Sequence, residues 1–222
     1  MKRDAKDFLF EQVERIGKAL ASSKRLELLD LLSQGEMTVE VLAGKAAIDS
    51  KLASAHLRAL KEARLVEGVR KGRFIAYRLT GSDVSRLWVN LRTVAEAHLI
   101  ELQQALERII AAPDRLTTES RLSLLERARR GDVVVIDVRP EAEYRAGHLP
   151  FARSMPLAEI EQRLADLPAG KEVVAYCRGP FCLMSNEAVA LLRKYGFQAQ
   201  KIADGVAEWA ADGLPVEAAA AP

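Results

Sequence analysis

The chain has 222 residues, 49% of them hydrophobic and 29% charged, which is enough apolar mass for two modest folded domains and excludes a disordered chain. No apolar run approaches the roughly 18 residues a membrane-spanning helix needs, and the start, MKRDAKDFLF, lacks the apolar stretch and cleavage site of an export signal, so a cytoplasmic protein with no membrane partner is expected. The net charge of +2 is uneven, with +4 on residues 1–112 and −2 on residues 113–222, and there are only two cysteines; the two halves should meet different partners, and the thiols should be reactive or inert, not a structural staple.

In chain order, Leu9, Val13, Ile16 and Leu20 repeat at helical spacing. Ser22-Ser23 offers the N-cap of a second helix carrying Leu26, Leu28, Leu29 and Leu32, which should stop near Gly35. Thr38 caps a short helix from Val39 to Ala46, and Asp49 caps the next, Ser50 to Ala63. Val66, Val69, Phe74, Ala76, Tyr77 and Leu79 then predict two strands around a hairpin turn, Arg70-Lys71-Gly72-Arg73, with the glycine supplying positive φ. One long helix is expected from about Asp83 to Ile110, and Pro113-Asp114 marks a boundary.

The second half alternates. Helices are expected at 120–130, 141–145, 157–167, 185–195 and 206–211, and strands at 133–136, 173–176 and 198–202, with 152–155 extended. Such alternation implies a mostly parallel sheet covered on both faces. The terminal EAAAAP should fray. The fold class is thus two-domain: a mainly-α winged helix-turn-helix over 1–112 and an α/β domain over 113–222.

In the first domain, the helix Ser50 to Ala63 should bury Leu52, Leu57 and Leu60 and expose Ser50, Lys51, Ser54 and Arg58. Small hydroxyls near a helix N-terminus can meet base edges in the major groove, while cations meet phosphates. Arg70, Lys71 and Arg73 put three cations on the protruding hairpin tip. The stretch SAHLRALKEARLVEGVRKGRFIAYRL resembles the recognition helix and wing of the ArsR family of bacterial repressors, over roughly residues 15–100. The resemblance implies a two-fold dimer formed through the first and last helices, a near-palindromic double-stranded DNA operator, and approach to DNA by Ser50, Lys51, Ser54, His56, Arg58 and Arg73. His56 reads equally as a packing residue. Family members that bind metal use cysteine pairs or acid and His clusters. Here TVEVLAGKAA has no Cys, and the last helix offers only His98 beside Glu96 and Glu101, so no metal is expected.

In the second domain, both thiols lie in YCRGPFCLMS, between a strand's carboxyl end and a helix. Backbone N–H groups converge in such a loop, and their field favours a thiolate. Cys177 is its first residue, Arg178 adds a cation, and Gly179-Pro180 shapes the turn. Cys182 reads either as a small apolar loop residue or as a resolving thiol. A phosphatase-type anion loop would need an Arg six positions after the nucleophile, where this chain has Leu183. VVVIDVRPEAEYRAGHLPFARSMPL, with Asp137, Arg139, Glu143, Tyr144, Gly147 and His148, and DGVAEW, with Gly205 and Trp209, resemble the signatures of the rhodanese sulfurtransferases over about residues 115–215. The resemblance implies that Cys177 accepts sulfur, with Arg178 and Cys182 beside it in the chemistry and residues 178 to 182 or 183 (Arg178, Gly179, Pro180, Phe181, Cys182 and, in the longer reading, Leu183) lining the pocket. Asp137, Arg139, Glu143 and His148 read as scaffold.

Joined, these features describe a DNA-binding repressor whose second domain senses or carries sulfane sulfur, from thiosulfate, polysulfide or a persulfide, on Cys177. The alternative is a working sulfurtransferase tethered to an autoregulatory DNA-binding domain. A third reading has Cys177 and Cys182 holding arsenic or another thiophile. No cofactor is called for.

Overall fold

The computed structural model describes residues 2–109 and 115–219. The chain divides into two units, the second beginning at Val89, inside a helix. The boundary expected at 112/113 lies outside the described residues.

The first unit opens with α1 (Lys2–Leu20) and α2 (Ser23–Leu32), followed by β1 (Met37–Thr38), α3 (Val39–Lys45) and α4 (Ser50–Glu62). Two helix starts have the expected caps: the Thr38 hydroxyl accepts from Val41 N, and Asp49 Oδ1 accepts from Lys51 N and Leu52 N at 2.9 Å. Ser22 occupies its cap position without a side-chain bond. The hairpin is β2 (Val66–Lys71) and β3 (Phe74–Leu79), and its turn is narrower than expected. Arg70 pairs with Ile75 and Lys71 with Phe74, leaving only Gly72, at φ 60°, and Arg73 in the turn. Thr38, expected only as a cap, also forms with Met37 a short strand that pairs with β3. Leu28, Leu29, Leu42, Leu57, Leu60 and Val66 meet in one core. Leu52 corrects the expected helical face: it is 42% exposed, and Ala53 is buried in its place.

The expected long helix is two, α5 (Ser82–His98) and α6 (Ile100–Ile109). The interruption has a local cause. The Gln103 side-chain amide donates to the carbonyls of Glu96, at 2.8 Å, and Ala97, replacing the backbone donors that would have continued the ladder.

The second unit holds α7 (Arg121–Arg130), β4 (Val133–Asp137), α8 (Glu141–Ala146), β5 (Arg153–Ser154), β6 (Glu172–Tyr176), α9 (Met184–Lys194), β7 (Ala199–Lys201) and α10 (Val206–Ala211). The named strands form one all-parallel sheet in the order β5-β4-β6-β7. Because side chains alternate across a strand, β4 and β6 feed two cores. Val134, Ile136, Val173 and Ala175 pack with α9 and Ile160, while Val133, Val135, Val174 and Tyr176 pack with Leu124, Val206 and Trp209. Cys177 continues the first of these series. Residues 157–167, expected as one helix, form two 3₁₀ segments, Leu157–Gln162 and Leu164–Asp166. The tail does not fray through Ala219: Glu217 exchanges backbone hydrogen bonds with His148, and Ala219 N donates to Arg145 O. No helix among the described residues is long and apolar enough to cross a membrane.

Candidate thiol site and candidate nucleic-acid interface

On α4, Ser50, Lys51, Ser54 and Arg58 are all exposed, while Ala53, Leu57 and Leu60 are buried. His56 is half-buried. At the hairpin, Arg70, Lys71 and Arg73 are exposed. They differ in freedom: Lys71 forms an ion pair with Glu36, Arg70 Nε donates to Gly72 O, and Arg73 stacks on the Phe74 ring at 4.9 Å. Phe74 and Ile75, 50% and 53% exposed, add apolar surface at the tip.

In the second unit, β6 delivers Cys177 at its carboxyl end and α9 begins seven residues later. The Cys177 side chain is buried, and Ser185 Oγ lies 3.3 Å from its sulfur. The Cys182 S–H donates to the same sulfur, as do the Ser185 hydroxyl and the backbone N–H groups of Ser185 and Gly179. These donors, Cys182 foremost, outweigh the opposing effect of burial and bring the Cys177 thiol down from its ordinary value of 9 to about 6. Cys182 moves the opposite way. Its proton is held between two sulfurs, and burial adds to the effect, so its pKa rises. The loop therefore pairs a thiolate with a protonated thiol.

Arg178, expected beside the sulfur, is placed elsewhere. Its guanidinium grips the Glu143 carboxylate through two bonds of 2.8 and 2.7 Å. A buried carboxylate leaves a nearby guanidinium little alternative. Gly179 is buried at φ 122°, Pro180 is half-buried, and Phe181 and Leu183 are each 42% exposed at the rim. Asp137, Arg139, Glu143 and His148 all lie in the interior. Arg139 binds both Asp137 oxygens and donates to Gly147 O at 2.6 Å, and Tyr176 Oη donates to Asp137 Oδ2 at 2.7 Å while accepting from Leu149 N. His148 stacks on Tyr144 and contacts the Tyr144 carbonyl through Nδ1. These four buried residues hold the strand ends that carry the loop.

Sequence reasoning passed over three residues. Ser185 reads only as part of a helix, although a hydroxyl one residue inside a helix start is a recognisable donor position. Lys201 is buried in β7 within reach of the Cys177 charge, and burial lowers its pKa; nothing in the mixed polar stretch QAQKI singles it out. Glu208 lies within DGVAEW, where only Gly205 and Trp209 drew notice. It is buried, accepts from Gly205 N at 2.6 Å and fills the space behind Gly179.

Gly205 has ordinary extended backbone, yet a Cβ there would stand 2.6–2.8 Å from Arg178 C, Cys177 O and Gly179 N. These are backbone atoms of the thiol loop and cannot rotate away. Gly205→Ala is expected to displace the loop at a cost of roughly 1–3 kcal/mol and to raise the Cys177 pKa, because the amides lose their aim. Thermal unfolding together with a pH series of Cys177 alkylation would check both.

Comparison with known proteins agrees with this geometry. Residues 120–212 match the family model "Rhodanese-like domain", and residues 22–68 match "Bacterial regulatory protein, arsR family". The HTH-type transcriptional regulator Rv0324 of Mycobacterium tuberculosis is 44% identical over 214 residues, covering 96% of this chain and 94% of its own length. A sulfurtransferase of Allochromatium vinosum is 34% identical over 88 residues, covering 39% of this chain and 80% of its own. Among solved structures, the homodimeric winged helix-turn-helix DNA-binding domain of Mb0332 from Mycobacterium bovis is 48% identical, covers 43% of this chain and 89% of that one, and has a TM-score of 0.41. The full-length match and the two family models together establish that the chain belongs to the ArsR-type transcriptional regulators that carry a C-terminal rhodanese-like domain.

Proposed function

We propose that this regulator senses sulfane sulfur by loading it onto Cys177 and changes its grip on operator DNA in response. The observation that carries the reading is the Cys177 sulfur buried between β6 and α9 with Ser185 Oγ at 3.3 Å and Cys182 and loop amides converging on it, an arrangement that brings its pKa down to about 6. With thiosulfate, the thiolate attacks the outer sulfur, the sulfur–sulfur bond breaks, sulfite leaves with its electron pair, and Cys177 becomes a persulfide anion. With inorganic tetrasulfide the leaving group is trisulfide. The Ser185 and Gly179 N–H groups that hold the thiolate are placed to receive the new anion.

Cys182 supplies a second step. Its sulfur attacks the inner sulfur of the persulfide; the outer sulfur leaves as hydrosulfide with the Cys182 proton, and a Cys177–Cys182 disulfide forms. Mass spectrometry separates the products. With wild-type protein, a loss of two hydrogens between the thiols is expected after tetrasulfide. With Cys182→Ala, the Cys177 peptide should retain a gain of about 32 Da per sulfur atom. Identical products from both proteins would remove Cys182 from the chemistry.

DNA is read by Ser50, Lys51, Ser54, Arg58 and the hairpin cations, with His56 at the margin, in a cytoplasmic homodimer. Support for the dimer comes from apolar faces: Phe8, Leu9, Phe10 and Val13 of α1 are 59–68% exposed, and Leu87, Leu91 and Val94 of α5 form a stripe at helical spacing, 37–57% exposed. We retain the domain division at 112/113, between the matched regions. The test is operator affinity with and without tetrasulfide, followed by a thiol reductant. A change of roughly 5–150-fold is the ordinary range for such coupling, and an unchanged wild-type affinity on a loaded Cys177 rejects the sensor. The enzyme reading is favoured by the exposed rim at Phe181 and Leu183, which leaves room for a sulfur acceptor. Repeated turnover to cyanide with indifferent DNA binding would establish it.

A further inference from the structure

Behind the thiol loop lies a contact chain that neither sulfur chemistry nor DNA reading has used. Arg92, on α5, is 3% exposed and belongs to the second unit. Its Nη2 lies 2.5 Å from Glu208 Oε1, and its guanidinium sits over the Phe181 ring at 5.4 Å. Phe181 is part of the thiol loop. Glu208 meets that loop at a second point: its Oε2 lies 2.7 Å from where a Cβ on Gly179 would stand, while also accepting from Gly205 N. Gly205 in turn packs against the backbone of residues 177–179. One guanidinium thus touches the loop directly, through Phe181, and indirectly, through Glu208. Arg92 also pairs with Glu96 one turn further along α5, at 3.1 Å.

We propose that Arg92 is a positioning residue for the thiol loop, joined to it through Glu208 and Phe181, and that an atom added to Cys177 is felt by α5 through these contacts. The physical argument is close packing. Cys177 is buried, its loop has backbone against Gly205 and a carboxylate against Gly179, and in a close-packed interior an atom added to the sulfur presses on the groups around it. The free direction is outward, at the exposed Phe181 and Leu183. Moving Phe181 and Gly179 disturbs both contacts that Arg92 makes. A buried ion pair is a sensitive element here because its geometry must be kept for both charges to stay compensated. α5 begins at Ser82, within the winged unit, so Arg92 is borne on a helix that the DNA-reading half of the chain also builds. The inference rests on the sensor reading for its biological meaning, but not for its test.

The experiment uses the full chain and hydrogen exchange of the α5 amides at residues 89–98, with Cys177 free, loaded with sulfur from tetrasulfide, or alkylated with iodoacetamide. In the wild type, either adduct is expected to change exchange across these amides. In Arg92→Met, exchange is compared at equal Cys177 adduct, set by mass spectrometry of each sample, and the change at α5 is expected to disappear. Because Arg92→Met leaves the Glu208 charge buried alone, the paired variant Arg92→Met with Glu208→Gln, in which no charge is stranded, is measured beside it. Operator affinity is the second readout, and its response to tetrasulfide should fall below about twofold in both variants. Wild-type α5 exchange that ignores a confirmed Cys177 adduct overturns the proposal, as does a full exchange response in the paired variant. If α5 responds but operator affinity does not, the sensor reading fails and the contact chain stands.

Discussion

Alkylation of Cys177 by iodoacetamide is expected to rise with pH through a midpoint near 6, where an ordinary thiol has its midpoint near 9. The Cys182 S–H is the largest contributor to that position, ahead of the Ser185 hydroxyl and the amides of Ser185 and Gly179. Cys182→Ala should therefore move the midpoint upward, and Ser185→Ala should move it upward by less. At pH 6.5 the wild-type thiol is mostly ionised, whereas one left at its ordinary value of 9 would be ionised well under one part in a hundred. The rate contrast at that pH is accordingly large, though tempered by the lower nucleophilicity of a less basic thiolate. The same shift has a consequence for folding. A thiol whose pKa is lower in the folded than in the unfolded chain adds stability that is fully present above about pH 9 and is lost as pH falls through about 6. Replacing Cys177 by Ser should flatten that part of the stability profile. A midpoint near 9 in the wild type would remove the foundation of both the sensor and the enzyme reading.

Arg139→Ala is expected to be the most damaging single change to the second unit. Arg139 and Asp137 are fully buried, joined through both carboxylate oxygens, and tied into the fold by Gly147 O and the Tyr176 hydroxyl. Removing the guanidinium strands a carboxylate at the end of β4, where no water reaches it. Breaking such a pair typically costs about 3–5 kcal/mol, and for a unit of this size the midpoint of thermal unfolding should fall by roughly 10–20 °C. The measurement is calorimetry, where the second unit's transition should move while that of the winged unit holds. Asp137→Asn retains hydrogen bonding to Arg139 and Tyr176 yet strands the cation, so it should also destabilise. A shift of less than a few degrees in both variants would show that the network contributes little. Neither residue belongs to the thiol loop, so thiol reactivity should be kept in whatever fraction remains folded.

What could be read from the sequence was what neighbours along the chain decide. Thr38, Asp49 and Ser120 accept from amides two or three residues on, and those bonds are local enough to be foretold. Gly72 and the alternation in Val133–Asp137 are equally local, and the motifs around Cys177 identified the loop. Tertiary structure decided the rest, because it depends on which distant group arrives first. Periodicity groups Leu52 with Leu57 and Leu60, but a core of finite width took Ala53 and left Leu52 outside. Gln103 turned back onto the carbonyls of Glu96 and Ala97 and divided a helix that apolar spacing ran through unbroken. Arg178 stands next to the nucleophile in sequence, yet its charge goes to Glu143, 35 positions earlier, because a buried carboxylate binds a guanidinium more strongly than a polarisable sulfur does. Arg92 and Glu208 lie 116 positions apart, and nothing in either neighbourhood announces the other. Caps, turns and strands answer to short-range sterics and hydrogen bonding; the partners of buried charges are chosen by desolvation, which acts only once the chain has folded.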